Sequence, residues 1–226
     1  MAFPAAHVAP WGMPDARARA LLLDLDGVLR RWPADHASRA ERAAGLPAGA
    51  IHAAAFEPAL LRRAVTGAID DAAWRSEVAL RLSHHGPIWS ALQAVTAWSA
   101  SPGVVDERVR ALVARARRTA RVVLVTNATD RLDRDLRALG LSADLDAVVN
   151  SSAVGCAKPD PCLLRAALAA ADVSAGRALF VDDTAANVAA AVAIGVPAHR
   201  FVGVAGLRAA LVEHGLVGGW LDRDPG

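Results

Sequence analysis

Four short apolar runs, Ala20-Leu21-Leu22-Leu23, Val122-Val123-Leu124-Val125, Ala147-Val148-Val149 and Ala178-Leu179-Phe180-Val181, give way to polar or acidic residues. Runs this short, rich in aliphatic side chains and bounded by polar clusters, read as strands buried on both faces of a parallel sheet. Helical patterns follow over 106–120, 130–139, 161–171 and 184–194, with Gly140 and Gly195 as stop signals and Pro161 as a start. Strand then helix, repeated, selects an open α/β sheet with right-handed crossovers.

The stretch 33–101 breaks that rhythm. It carries helical patterns over 37–44, 48–64, 70–82 and 88–99, separated by Gly45-Leu46-Pro47, Thr66-Gly67 and His85-Gly86-Pro87. The expected organisation is a tail over 1–19, a core from 20–32 and 102–226, and an inserted helical subdomain over 33–101. Ser101-Pro102-Gly103 marks the return hinge. A chain of 226 residues is long enough to bury a core in each part.

Charge narrows the partners. With 25 basic and 23 acidic residues, the formal charge is +2. That is far from the concentrated positive charge of a nucleic-acid tracker and favours a small molecule. The N-terminal stretch has no basic start followed by an apolar run, and no run approaches the roughly 18 apolar residues that cross a bilayer. A cytoplasmic protein with no membrane partner is expected. Cys156 and Cys162 have neither the number nor the spacing of a disulfide framework or zinc site, and read as two small buried apolar residues.

The first strand runs into Asp24-Leu25-Asp26-Gly27. Carboxyl ends of parallel strands are where open α/β sheets bind ligands, although Asp-Gly after an apolar run is also an ordinary turn. A second acid pair, Asp182-Asp183, ends another strand; adjacent like charges need a cation or solvent, or else serve to cap the next helix. With Asp24 the pair makes an oxygen-only donor set suited to Mg²⁺. Thr126-Asn127 ends a third strand, as a polar site or a simple turn. Lys158 is the only lysine in a chain that otherwise uses arginine, so a surface role suits it less well than a site that requires a compact ammonium. Pro159 holds it on extended backbone, and Asp160 is placed to cap the helix from Pro161.

Together, Asp24-x-Asp26, Thr126-Asn127, Lys158-Pro159 and Asp182-Asp183, in that order and at strand ends, resemble the four motifs of the haloacid dehalogenase-like hydrolases. The resemblance spans roughly residues 20–204. It implies a Rossmann-like α/β fold with helices on both faces of the sheet, and an inserted α-helical cap of the family's first class. It further implies Asp24 as nucleophile and Asp26 as general acid and base. Mg²⁺ would be held by Asp24, the Asp26 carbonyl and Asp182/Asp183, with Asp183 the preferred direct ligand. Thr126, Asn127 and Lys158 would hold the phosphoryl oxygens, and Asn187 would either orient the acid pair or pack in the core. Asp26 also separates phosphoryl transfer from dehalogenation, which needs no proton for a halide. A cap without lysine removes the family's Schiff-base phosphonate chemistry.

The activity implied is Mg²⁺-dependent hydrolysis of a small phosphate monoester, by a monomer or homodimer. A phosphomutase and a catalytically idle binding domain stay as alternatives. Arg30, Arg31 and Trp32 either touch the leaving group or form an exposed turn with Trp32 packed on the cap. Within the cap, Arg62, Arg63, Trp74 and His84-His85 are further candidates, with surface or packing roles favoured. The arginines from Arg115 to Arg121 read as a solvated helix end.

Overall fold

The computed structural model describes residues 19–218. The tail expected over the first residues therefore lies outside them, apart from Arg19. In chain order the elements are β1 (Ala20–Leu23), β2 (Arg30–Arg31), the helices α1 (His36–Ala44), α2 (Ala50–Ala55), α3 (Pro58–Val65), α4 (Asp71–Leu82) and α5 (Ile88–Trp98), then β3 (Val104–Val105) and α6 (Glu107–Ala116). They continue with β4 (Arg121–Thr126), α7 (Leu132–Ala138), β5 (Ala147–Asn150), α8 (Ser151–Val154), α9 (Pro161–Ala171), β6 (Ala178–Asp182), α10 (Ala185–Ala193), β7 (Ala198–Arg200) and α11 (Val204–Glu213).

The main sheet has five strands in the order β5-β4-β1-β6-β7, and every neighbouring pair is parallel. Central β1 has all four residues buried, as the unbroken apolar run requires. Its odd and even side chains feed two apolar clusters, one per face. Leu21 and Leu23 join α6, α7 and α11 on one side, while Ala20 and Leu22 join α9 and α10 on the other. That registry brings the ends of β1, β4 and β6 level: Leu23 pairs with Leu124 and Val181. The residues that follow these three strands converge on one edge.

Helices α1 to α5 form an inserted block with its own apolar cluster, from Ala40 and Ile51 to Val78, Leu82 and Val95. It joins the core through a two-stranded antiparallel ribbon in which Arg30 pairs with Val105 and Arg31 with Val104. The single helix expected over 48–64 is in fact two. The break falls at Phe56-Glu57, because Pro58 starts α3 and the Glu57 carboxylate accepts from the Ala59 and Leu60 N–H groups at 2.9 Å each.

The two cysteines also depart from expectation. Cys156 and Cys162 are half-buried and joined by a disulfide, their Cα atoms 6.4 Å apart. The loop between them holds Lys158-Pro159, a cis peptide, and the folded chain joins sulfurs that linear spacing does not pair. Among the described residues no helix is long and apolar enough to cross a membrane.

Candidate active site

Asp24 leaves the end of β1 with its N–H donating to Val181 O at 2.9 Å, which seats it between β1 and β6. Its carboxylate is almost buried; Oδ1 accepts from the Leu25 N–H at 2.7 Å and lies 2.7 Å from Lys158 Nζ. The Lys158 ammonium also donates to Asp182 Oδ2 at 2.7 Å and to Val125 O at 2.9 Å. Three protons meet three acceptors in a pocket where the lysine side chain is 2% exposed, so the charge is compensated as well as buried. An arginine fork would not fit this convergent set of three, which gives the solitary lysine its physical reason.

Asparagine side chains fix these charges. Asn127 donates to Lys158 O at 2.9 Å and accepts from Lys158 N–H at 2.8 Å, a reciprocal clamp across the end of β4. Asn187 donates to both Asp182 oxygens at 3.0 Å, and Thr184 N–H adds a third bond to Oδ1 at 2.8 Å. Asn187 therefore holds Asp182, the first acid of the pair. Asn150 caps α8 and donates to Thr129 O at 2.9 Å, while the buried Ser151 hydroxyl accepts from Ala128 N–H at 3.0 Å, holding the loop after β4. All three asparagines of the chain thus serve this edge.

Oxygens of Asp24, Asp182 and Asp183 lie within 4.8 Å of one another, a cluster able to hold a divalent cation. Asp182 is saturated by the partners above, whereas among the described residues the half-buried Asp183 carboxylate accepts from its neighbour Thr184 Oγ1 alone, at 3.1 Å. Gly27 makes room for Asp183. Its φ is +80°, and a Cβ there would overlap the Asp183 carboxylate, 2.7 Å from Cγ. Burial pushes the Asp24 carboxyl up to about 7, with Asp182 adding to the rise and Lys158 opposing both. Positive charge is what this cluster lacks.

The sequence profile of the haloacid dehalogenase-like hydrolases matches residues 18–195. The chain belongs to this family of hydrolases. It is 35% identical over 166 residues to a phosphoglycolate phosphatase of Rhodospirillum rubrum, a match covering 73% of this chain and 64% of that protein. The chain thus spans just under two thirds of that relative's length. Among solved structures it superposes on a HAD-like hydrolase of Porphyromonas gingivalis with a TM-score of 0.66 at 20% identity, covering 86% of this chain and 98% of that one. A HAD family enzyme of Bacteroides thetaiotaomicron, in complex with magnesium and inorganic phosphate, gives 0.64 at 18% identity, covering 80% and 93%. At those identities the two structures speak for the fold alone.

The remaining candidate residues of this HAD-like hydrolase sort by position. Thr126 ends β4 with 1% exposure, next in the chain to Val125, whose carbonyl accepts from Lys158. Asp26 turns toward the hinge ribbon: its carboxylate accepts from Arg30 Nε at 2.7 Å, Arg30 Nη2 at 2.8 Å and Trp32 Nε1 at 2.9 Å. Arg31 lies apart from these groups, paired with Asp106 at 2.8 Å. In the cap, Arg63 pairs with Glu77, Trp74 packs on Trp98 at 5.7 Å, and Arg62, His84 and His85 are exposed. Sequence reasoning missed what Arg30 grips, because its second acid, Asp135, is 105 positions away.

Proposed function

We propose that the chain is a Mg²⁺-dependent phosphatase that hydrolyses a small phosphate monoester through a phosphoryl group carried transiently on Asp24. The observation that supports this most is the meeting of Asp24, the Asp182-Asp183 pair and the buried Lys158 ammonium at one sheet edge. Asp24 and Asp183 supply hard oxygen ligands for Mg²⁺, with the Asp26 carbonyl as a third and Asp182 holding Lys158. The cation, when bound, neutralises the repulsion between the nucleophile and the phosphate.

In the first displacement an Asp24 oxygen attacks phosphorus, the bond to the leaving oxygen breaks, and Asp26 gives that oxygen its proton. In the second, Asp26 takes a proton from water as the water oxygen attacks phosphorus and Asp24 departs. Lys158, the Thr126 hydroxyl and the loop amides after β4 stabilise the equatorial oxygens, where transition-state charge gathers. Asn127 contributes by holding Lys158. Trp32, against Asp26, borders the leaving group; Arg31, bound to Asp106, sits at the outer rim.

The Rhodospirillum relative is named for phosphoglycolate and the Bacteroides structure holds magnesium and phosphate. Both favour a phosphate ester, and phosphoglycolate heads the test panel. The experiment is phosphate release from a panel of esters with and without Mg²⁺, comparing the native chain with Asp24→Asn. Metal-dependent release that the substitution abolishes is expected. Release that survives it, or ignores chelation, would refute the mechanism; no release from any ester would leave a binding domain.

A further inference from the structure

Arg30 is a charged side chain that the core does not need, yet it is buried to 6% exposure with four polar contacts. Two go to Asp26, in the paired arrangement that a guanidinium fork makes with a carboxylate and an ammonium does not. The other two go to Asp135 on α7 at 3.2 Å and to Pro102 O, in the segment leading into β3, at 3.3 Å. The stem is confined as well. Gly103 has φ +89°, and a Cβ there would lie 2.9 Å from both Cγ and Cδ of Arg30, so the hinge is shaped around this side chain. Trp32 completes the enclosure, with its ring centroid 4.8 Å from the guanidinium carbon and its N–H on Asp26.

Resting on the phosphatase reading, we infer that Arg30 is a positioning residue for the general acid. Its fork holds both oxygens of the Asp26 carboxylate, and its grip on Pro102 ties the place of that carboxylate to the hinge. The anchors on Asp135 and Pro102 fix the fork, and the fork in turn fixes the direction in which the acid faces the leaving oxygen.

The test is the dependence of kcat/KM on leaving-group acidity across substituted phenyl phosphates, similar in shape and different in how much the phenolate needs a proton. The native chain is compared with Arg30→Lys and Asp26→Asn. Expected is a shallow dependence in the native chain and a steep one in both variants, with phenyl phosphate losing about tenfold or more relative to p-nitrophenyl phosphate, within the range attributed to general acids. A merely structural role would lower every ester by one factor; an Arg30→Lys slope equal to native, with Asp26→Asn steep, overturns the inference alone. A native-like slope in Asp26→Asn overturns the acid assignment beneath it. Should Arg30→Lys not fold by circular dichroism, Trp32→Phe decides: a slope steeper than native supports the inference, and an unchanged slope overturns it.

Discussion

Asp24 carries opposite demands. In the proposed mechanism its carboxylate must be ionised to attack phosphorus, yet burial, with Asp182 beside it, raises its proton affinity, to a pKa of about 7 against an ordinary 3.8. Between those values the folded state holds a proton that the unfolded state has released, so stability falls as pH rises through that window and levels off above it. A cation bound to the ionised carboxylate competes with that proton. The rise in melting temperature on adding Mg²⁺ is therefore expected to be larger at about pH 8 than at about pH 5.5, and small at both in Asp24→Asn. Thermal scans at the two pH values check this; an equal rise in the native chain would refute it. Gly27 makes a second claim at this scale. Alanine there needs a left-handed backbone, costing about 1–2 kcal/mol, and also displaces Asp183. Gly27→Ala is expected to lower the unfolding free energy by that amount and to raise the half-saturating Mg²⁺ concentration by about tenfold, equivalent to about 1.4 kcal/mol.

The elements show which physical signals survive in a linear sequence. β1, β4 and β6 were legible because burial on both faces demands unbroken apolar runs, and α9 because Asp160 and Pro161 announce its start; the apolar run of β5 also marked a strand, but β5 lies at the sheet edge with Val148 exposed rather than buried on both faces. The ribbon of β2 and β3 was not, since two residues per strand carry no periodicity. The break between α2 and α3 had a signal in Glu57-Pro58, but the alanine-rich pattern ran across it. At the site, the four motifs were visible through residue type and strand-end position. Asn187 stays open there between orienting the acids and packing in the core, and the clamps of Asn127 and Arg30 were not visible, because they join side chains to partners fixed only when the loops close. The loop from Cys156 to Cys162 belongs to the same class, and it encloses Lys158. Loop-closure entropy for so short a ring gives about 2 kcal/mol. Replacing both cysteines with serine is expected to lower unfolding free energy by that amount, measured in denaturant, and thiol titration of the unfolded native chain without reductant should find none free.

At the scale of the molecule, the apolar forces act within two bodies rather than between them. The clusters on the faces of the main sheet contain no residue of α1 to α5, and the cluster of those helices contains none from the core. Away from the hinge ribbon the bodies meet through polar contacts. The Asp130 carboxylate accepts from the Asp71 N–H at 2.8 Å, Thr129 Oγ1 donates to Asp71 Oδ1 at 3.1 Å, and Arg131 donates to Ser99 O at 2.6 Å. Asp71 also pairs with Arg75 on its own helix. Contacts of this kind exchange with water at little net cost, so they bias closure without locking it. In the proposed reaction a docked cap would shield the transferring phosphoryl group from bulk water. Asp130 is exposed, and Asp130→Ala removes one acceptor from the docking contact while leaving both apolar clusters whole. The substitution is expected to raise KM for a small phosphate ester by up to about fivefold, the equivalent of about 1 kcal/mol, through a smaller population of the docked form. Its unfolding free energy should stay within about 0.5 kcal/mol of native, as for an exposed position. Steady-state kinetics beside a denaturant titration separate the two effects, and a large loss of stability with KM unchanged would show that the contact supports the fold and not closure.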